Sequence, residues 1–169
     1  MKKIFLIFIL FIVFSLLPLS SFSDEKNQSV RDINRVLDSF HKAASDADES
    51  GYLGCMDDDA VFLGTDGSEL WTKNEFALFV KPYFSKGIGW TYVPKDRVVH
   101  ISQENKFAWF SEKLFNEKYG ELRGTGVLRK NKSGWKIVQY NMVFVIPNSC
   151  SKSVVDLIKG KSPGKLRDK

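Results

Sequence analysis

Apolar and polar positions repeat with two different periods along this chain, and the change from one to the other divides it. Val30, Ile33, Val36, Leu37, Phe40 and Ala44 recur at three- and four-residue steps, with Arg31, Asp32, Asn34, Arg35 and Asp38 between them. That spacing predicts an amphipathic helix of about five turns with one face buried. Asp46-Ala47-Asp48-Glu49 has a D-x-x-E form related to the capping box and predicts a short second helix. Tyr52, Leu53 and Met56 form its apolar face, and Asp57-Asp58-Asp59 reads as its solvated exit. Residues 60–63 read as a short strand, Gly64-Thr65-Asp66-Gly67 as a turn, and residues 69–71 as a brief extended piece. Thr72-Lys73-Asn74-Glu75 is a capping box that opens a third helix through Phe76, Phe79, Val80, Tyr83 and Phe84. Pro82 should kink or end it near the last turn.

Beyond that helix the pattern is extended. Residues 90–101 alternate imperfectly, with an interruption at Pro94-Lys95-Asp96. Residues 107–119, 121–130 and 135–146 read as long strands; Asn131 to Gly134 turns the second into the third, and Pro147 stops the last. Helices followed by a strand meander mean an α+β fold with an antiparallel sheet. Residues 153–160 can form a short helix through Val154, Val155, Leu157 and Ile158, and residues 160–169 are expected to be disordered.

The first residues have a different character. Lys2 and Lys3 make a positive start, residues 4–19 are almost unbroken apolar, and Ser21-Phe22-Ser23 precedes Asp24-Glu25-Lys26. This is the pattern of a secretory signal peptide over residues 1–23, cut after Ser23. The apolar run is shorter than the ~20 residues a membrane span needs, and no Cys follows it for lipid attachment. The expected organisation is the leader, a flexible stretch at 24–29, one domain at 30–150, and a basic, partly disordered tail at 151–169. A periplasmic or secreted protein follows, with no stable membrane span once the leader is removed.

In such a compartment Cys55 and Cys150 can be read two ways. They could form one disulfide closing a loop of roughly a hundred residues, stabilising by about 4–5 kcal/mol in chain-entropy models, or remain two separate thiols. With His41 and His100 they show no metal-ligand spacing, so neither a metal nor a cofactor is expected. The formal charge of +5 is misleading. Two of those charges belong to the leader lysines and four to the tail, which leaves the body at about −1. The folded domain has no basic face for nucleic acid, and the tail reads as a solvated end.

Taken in order, these pieces resemble the SnoaL-like group of the nuclear-transport-factor-2-like superfamily. The resemblance is carried by FHKAASDADESGYLGCMDDDAVFLGTDGSELWTK, PYFSKGIGWTY, AWFSEKL and YGELRGTGVLRKNKSGWKIVQYNMVFVIPN, and spans residues 30 to 148. It implies a cystatin-like cone, in which a strongly curved, mainly antiparallel sheet wraps three N-terminal helices and leaves a pocket for a small molecule. It also implies a homodimer through the outer face of the sheet. Members include isomerases, dehydratases and polyketide cyclases, and many proteins that bind or assemble without chemistry.

In the isomerases of this superfamily a carboxylate base near the end of the first strand works with acidic oxyanion donors. Here Phe62-Leu63-Gly64-Thr65 falls in that region, and no carboxylate stands there. SnoaL-like relatives often carry His and Ser near the end of the last strand. This chain has Gln139, Asn141 and Val143, and amides can bind a ligand but not act as base. Glu69 and Trp71 match the family's Glu-x-Trp before the third helix, either at the pocket mouth or as structural groups. Glu112 shares a strand face with Ala108, Phe110 and Leu114, and Arg123 on the next strand is its expected partner. The candidate ligand-binding residues are thus Tyr52, Trp71, Glu112, Arg123, Gln139 and Asn141, with Glu69 and Glu112 as the possible acid–base groups. His41 and His100 read as surface or boundary residues. No Ser-His-Asp or Cys-His arrangement can be assembled, and RGTG at 123–126 is a strand segment because no helix follows it. The sequence leaves two readings, a binding or assembly module and a small-molecule isomerase or dehydratase.

Overall fold

A computed structural model describes residues 2–160, with side chains from Ser23 onward. Helix α1 spans Lys2–Asp46, so residues 24–29, expected to be loose, are helical. Ser29, Ile33, Leu37, Phe40 and Ala44 are its buried stripe, at the spacing the sequence predicts. Helix α2 is Glu49–Gly54, capped by Asp48, whose side chain accepts from the Gly51 amide. Helix α3, Lys73–Phe84, carries the full capping box between Thr72 and Glu75, and it ends two residues after Pro82.

Six strands follow in the order β1 Met56–Leu63, β2 Leu70–Thr72, β3 Val93–Ile101, β4 Phe107–Asn116, β5 Gly120–Asn131 and β6 Gly134–Phe144. Asp57, Asp58 and Asp59 therefore lie in β1 and not at a helix exit. The chain leaves α2 at Gly54 and pairs at once, Met56 against Ile137. Arg129 bridges Asp57 at 3.1 Å and Asp59 at 2.7 Å, while Lys73 meets Asp58 at 3.1 Å.

The strongly curved cone is not what forms. The sheet is open and mixed, with order β2-β1-β6-β5-β4-β3, and β1 runs parallel to β6 while the other four pairings are antiparallel. Its two edges do not meet. β2 is three residues long, and β3 carries Pro94 and a register break between Lys95 and Val98, features that blunt an edge and stop further pairing. The helices cover one face, where Phe40, Tyr52, Phe76, Leu114, Ile137 and Tyr140 are buried. A 3₁₀ turn at Asn148–Cys150 leads into helix α4, Ser151–Ile158, two residues earlier than the sequence suggests. Both cysteines are free thiols. The tail from residue 161 lies outside the described residues, as do the side chains of residues 2–22. Among the described residues no helix is long and apolar enough to cross a membrane.

Candidate functional site

One irregularity decides which side chains reach the interior. In the β5–β6 ladder Leu128 faces Ile137 and Val127 faces Gln139, so Val138 is an extra residue with no partner. Such a bulge reverses the alternation beyond it. Trp135 and Ile137 point inward before it, and Tyr140 and Met142 after it. Gln139 and Val143 are exposed and Asn141 only half-buried, so the amides expected on the pocket floor lie on the outer face. Their place inside is taken by a phenol and a thioether.

The helices and the inner face enclose a cavity of about 380 Å³. Its walls are aromatic: Tyr52 from α2, Trp71 from β2, Phe79 and Tyr83 from α3, and Trp90 and Tyr92 before β3. Trp71 stacks on Phe79 at 4.9 Å, and Tyr83 meets Trp90 edge-on at 6.1 Å. Of the residues expected to bind a ligand, Tyr52 and Trp71 line this cavity. Burial pushes the Tyr52 phenol well above its ordinary value, so it is a neutral wall. Glu69 also lines the cavity, half-buried, and its Oε2 accepts from the Asp66 amide at 3.1 Å. Lys118 and Tyr119 from the β4–β5 turn complete the rim, with the ammonium 4.9 Å from the Tyr119 ring centre.

Glu112 is elsewhere. Its side chain is fully buried, but it does not line the cavity and does not meet Arg123. Gly124, not Arg123, is its cross-strand neighbour, and Arg123 is exposed on the opposite face. The partner is Arg97 of β3, on the other side of β4: its Nε donates to Oε2 at 2.7 Å. His41 Nε2 lies 2.7 Å from Oε1, and the Tyr140 hydroxyl donates to the same oxygen at 2.8 Å. Arg97 reaches on to Asp38 at 2.7 Å and to the Asn34 side chain at 3.1 Å, fastening α1 to the sheet. Burial alone would raise the Glu112 carboxyl, but the hydrogen bonds and charges of His41 and Arg97 outweigh it and hold the group below its ordinary value. Burial and the neighbouring Glu112 push the Tyr140 phenol far up.

His41 is therefore buried, contrary to the boundary position expected from sequence, while His100 is exposed and stacks on Trp109 at 5.6 Å. The signal for His41 was its place four residues after Leu37, on the buried stripe. A second signal was RGTG. A Cβ at Gly124 would lie 2.5 Å from the Tyr140 hydroxyl and 3.1 Å from Glu112, so that glycine makes room for the network. Among the described residues no group of His, Cys, Asp and Glu is arranged to hold a metal.

The family model described as a SnoaL-like domain matches residues 33–147, which is most of the chain and all six strands. The chain belongs to the SnoaL-like domain family. Solved structures with the same fold are distant in sequence. One is a protein of unknown function from Mycobacterium tuberculosis, 13% identical, TM-score 0.63, covering 80% of this chain and 82% of that one. Another is an NTF2-like protein with a cystatin-like fold from Novosphingobium aromaticivorans, 10% identical, TM-score 0.61, covering 83% and 98%. A third is an NTF2-like protein of unknown function from Pseudomonas putida, 14% identical, TM-score 0.59, covering 70% and 87%. Identities this low carry the fold alone. Among curated proteins nothing matches.

Proposed function

We propose that this SnoaL-like protein is an exported small-molecule-binding module that works as a dimer, with its leader removed after Ser23. The observation that carries the binding role is the 380 Å³ cavity walled by Tyr52, Trp71, Phe79, Tyr83, Trp90 and Tyr92. Its size and its largely aromatic walls, broken by Thr65, Glu69 and Lys118, are those of a ligand site. Export rests on the charged, apolar and small-residue pattern of residues 1–23. Pairing through the outer sheet face is supported by the exposure of Val98, Phe107, Trp109 and Phe115 there.

An isomerase or dehydratase would need a base in the cavity, and this is where the enzyme reading loses ground. Glu112 is held as an anion by Arg97 and His41, away from the cavity, so its work is to anchor α1. Glu69 is the one carboxylate among the described lining residues. The binding role is tested on protein exported through its own leader. Native mass spectrometry reports the cleavage site, the subunit count and any retained small molecule. Trp71→Ala should release that molecule and Asn141→Ala, on the outer face, should keep it. Wild-type protein that arrives empty, or two variants that behave alike, would remove the cavity as the site.

A further inference from the structure

The small-molecule reading leaves the class of ligand open, and the charges around the cavity narrow it. Glu69, half-buried in the cavity wall, and Glu112, fully buried behind it, are held differently. Glu112 has Arg97 and His41 against it. Glu69 has only the Asp66 amide, 3.1 Å from Oε2, and takes part in no ion pair among the described residues. A carboxylate without an ion-pair partner, set in a wall of rings, leaves a place for a positively charged ligand group beside it, with Lys118 at the rim as the one lining cation among the described residues. The backbone favours this placement, because any side chain at Gly64 would collide with the Glu69 carboxylate.

Around that charge the wall consists of aromatic rings, each with a negative face. Trp71 and Tyr92 share the cavity with Glu69, and the Tyr92 phenol is raised by burial first, then by Tyr119, and least by Glu69. Indole and phenol rings clustered with a carboxylate make the environment that recognises organic ammonium ions. The rim gives an internal example. Lys118 has no carboxylate partner among the described residues, and its ammonium lies 4.9 Å from the Tyr119 ring centre. That is within the distance at which a ring attracts a cation.

We propose that the cavity takes an organic cation, a quaternary or protonated amine, packed against the rings of Trp71, Trp90 and Tyr92 with Glu69 as its counter-charge. This rests on the cavity being a ligand site and adds the charge of what fills it. The uncharged face of such a ligand loses little by burial, and its positive charge meets ring faces and a carboxylate in place of water. A neutral molecule of the same shape gains the apolar contacts only.

The test compares choline with 3,3-dimethylbutan-1-ol, which has the same shape with carbon in place of the cationic nitrogen. Binding is followed by the fluorescence of Trp71 and Trp90 in the full exported chain. Choline should bind about tenfold more tightly than the alcohol, the scale of desolvated cation–ring contacts. Glu69→Gln should bring the two affinities together, and Trp71→Leu should weaken choline more than the alcohol. Equal affinities in the wild type, or tighter binding of the alcohol, would overturn the cation and leave the cavity a ligand site. No response to choline would overturn the cation as well. If Glu69→Gln fails to fold by circular dichroism, the wild-type comparison decides alone.

Discussion

Replacing Glu112 with Gln removes one charge and keeps the shape, and the consequences can be worked through bond by bond. Oε1 accepts from the Tyr140 hydroxyl at 2.8 Å and lies 2.7 Å from His41 Nε2, while Oε2 accepts from Arg97 Nε at 2.7 Å. A Gln amide can supply only one of these oxygens; its NH2 stands either against the Arg97 Nε donor or against the Tyr140 hydroxyl and His41 Nε2, which would have to accept, and in neither case does Arg97 keep a negative partner there. Arg97, nine-tenths buried, keeps Asp38 but loses its buried counter-charge. Breaking a buried pair in this one-sided way costs about 3–5 kcal/mol. With a urea m-value of about 2 kcal/mol/M, the unfolding midpoint should fall by about 2 M with no change in slope. The effect should also depend on pH. The folded-state carboxyl lies below its ordinary value of 4.5, so its contribution is complete above that value. It is lost as the pH falls through the folded-state value, and there wild type and variant should converge. A midpoint shift under about 0.5 M at neutral pH would refute the reasoning, since it would mean that Arg97 is not paying for burial with Glu112 as its partner.

Two further predictions concern the supports of the cavity wall. Thr72→Ala removes the side chain that accepts from the Glu75 amide and donates to its carboxylate, and should cost α3 about 1 kcal/mol, read as a lower Tm. Gly89→Ala would drive a methyl into the carbonyl oxygens of Ala44 and Ser45, where the Trp90 amide also docks at 3.0 Å. It should destabilise by roughly 1–3 kcal/mol and shift the Trp90 emission, which equilibrium unfolding monitored by fluorescence would detect.

What could be read in the sequence was local. The Thr72–Glu75 box is four consecutive residues and the buried stripe of the first helix is one repeat, so both are found where expected, although that helix begins well before residue 30. The parts that escaped depend on which strands lie side by side. Glu112 shares its strand face with Ala108, Phe110 and Leu114, as the alternation implies, and the structure buries that face. Its partner was sought on β5 because β5 comes next in the chain, and the antiparallel register sets Gly124 opposite it and turns Arg123 outward. β3, on the other side of β4, supplies Arg97 instead. His41 shows the same limit from the helix side: its position on the stripe implied burial, but no local feature named a carboxylate 71 residues away.

The bulge at Val138 had no local sign either, and it has the widest effect. Without the extra residue, Gln139 and Asn141 would continue the inward set begun by Trp135 and Ile137. With it, Tyr140 turns inward, and its hydroxyl bonds Glu112 while its ring stacks on Phe62 at 5.6 Å and 7°. Phe62 stacks in turn on Phe76 at 4.1 Å and 9°, and Phe76 meets Trp71 at 5.7 Å on the cavity wall. One inserted residue thus ties the charged anchor of α1 to the aromatic wall through a continuous pile of rings. Close-packed rings of this kind hold their neighbours in fixed rotamers. That pile fixes Trp71, which also stacks on the partly exposed Phe79 at 4.9 Å, while Glu69 is held separately by the Asp66 amide. A binding site for a small cation needs its counter-charge and its rings held at a fixed separation before the ligand arrives. The bulge shapes the site by what it turns in and by what it turns out: Gln139 and Asn141 are moved to the outer face, and Met142 takes a place in the cavity wall that also carries Glu69 and, at the rim, Lys118.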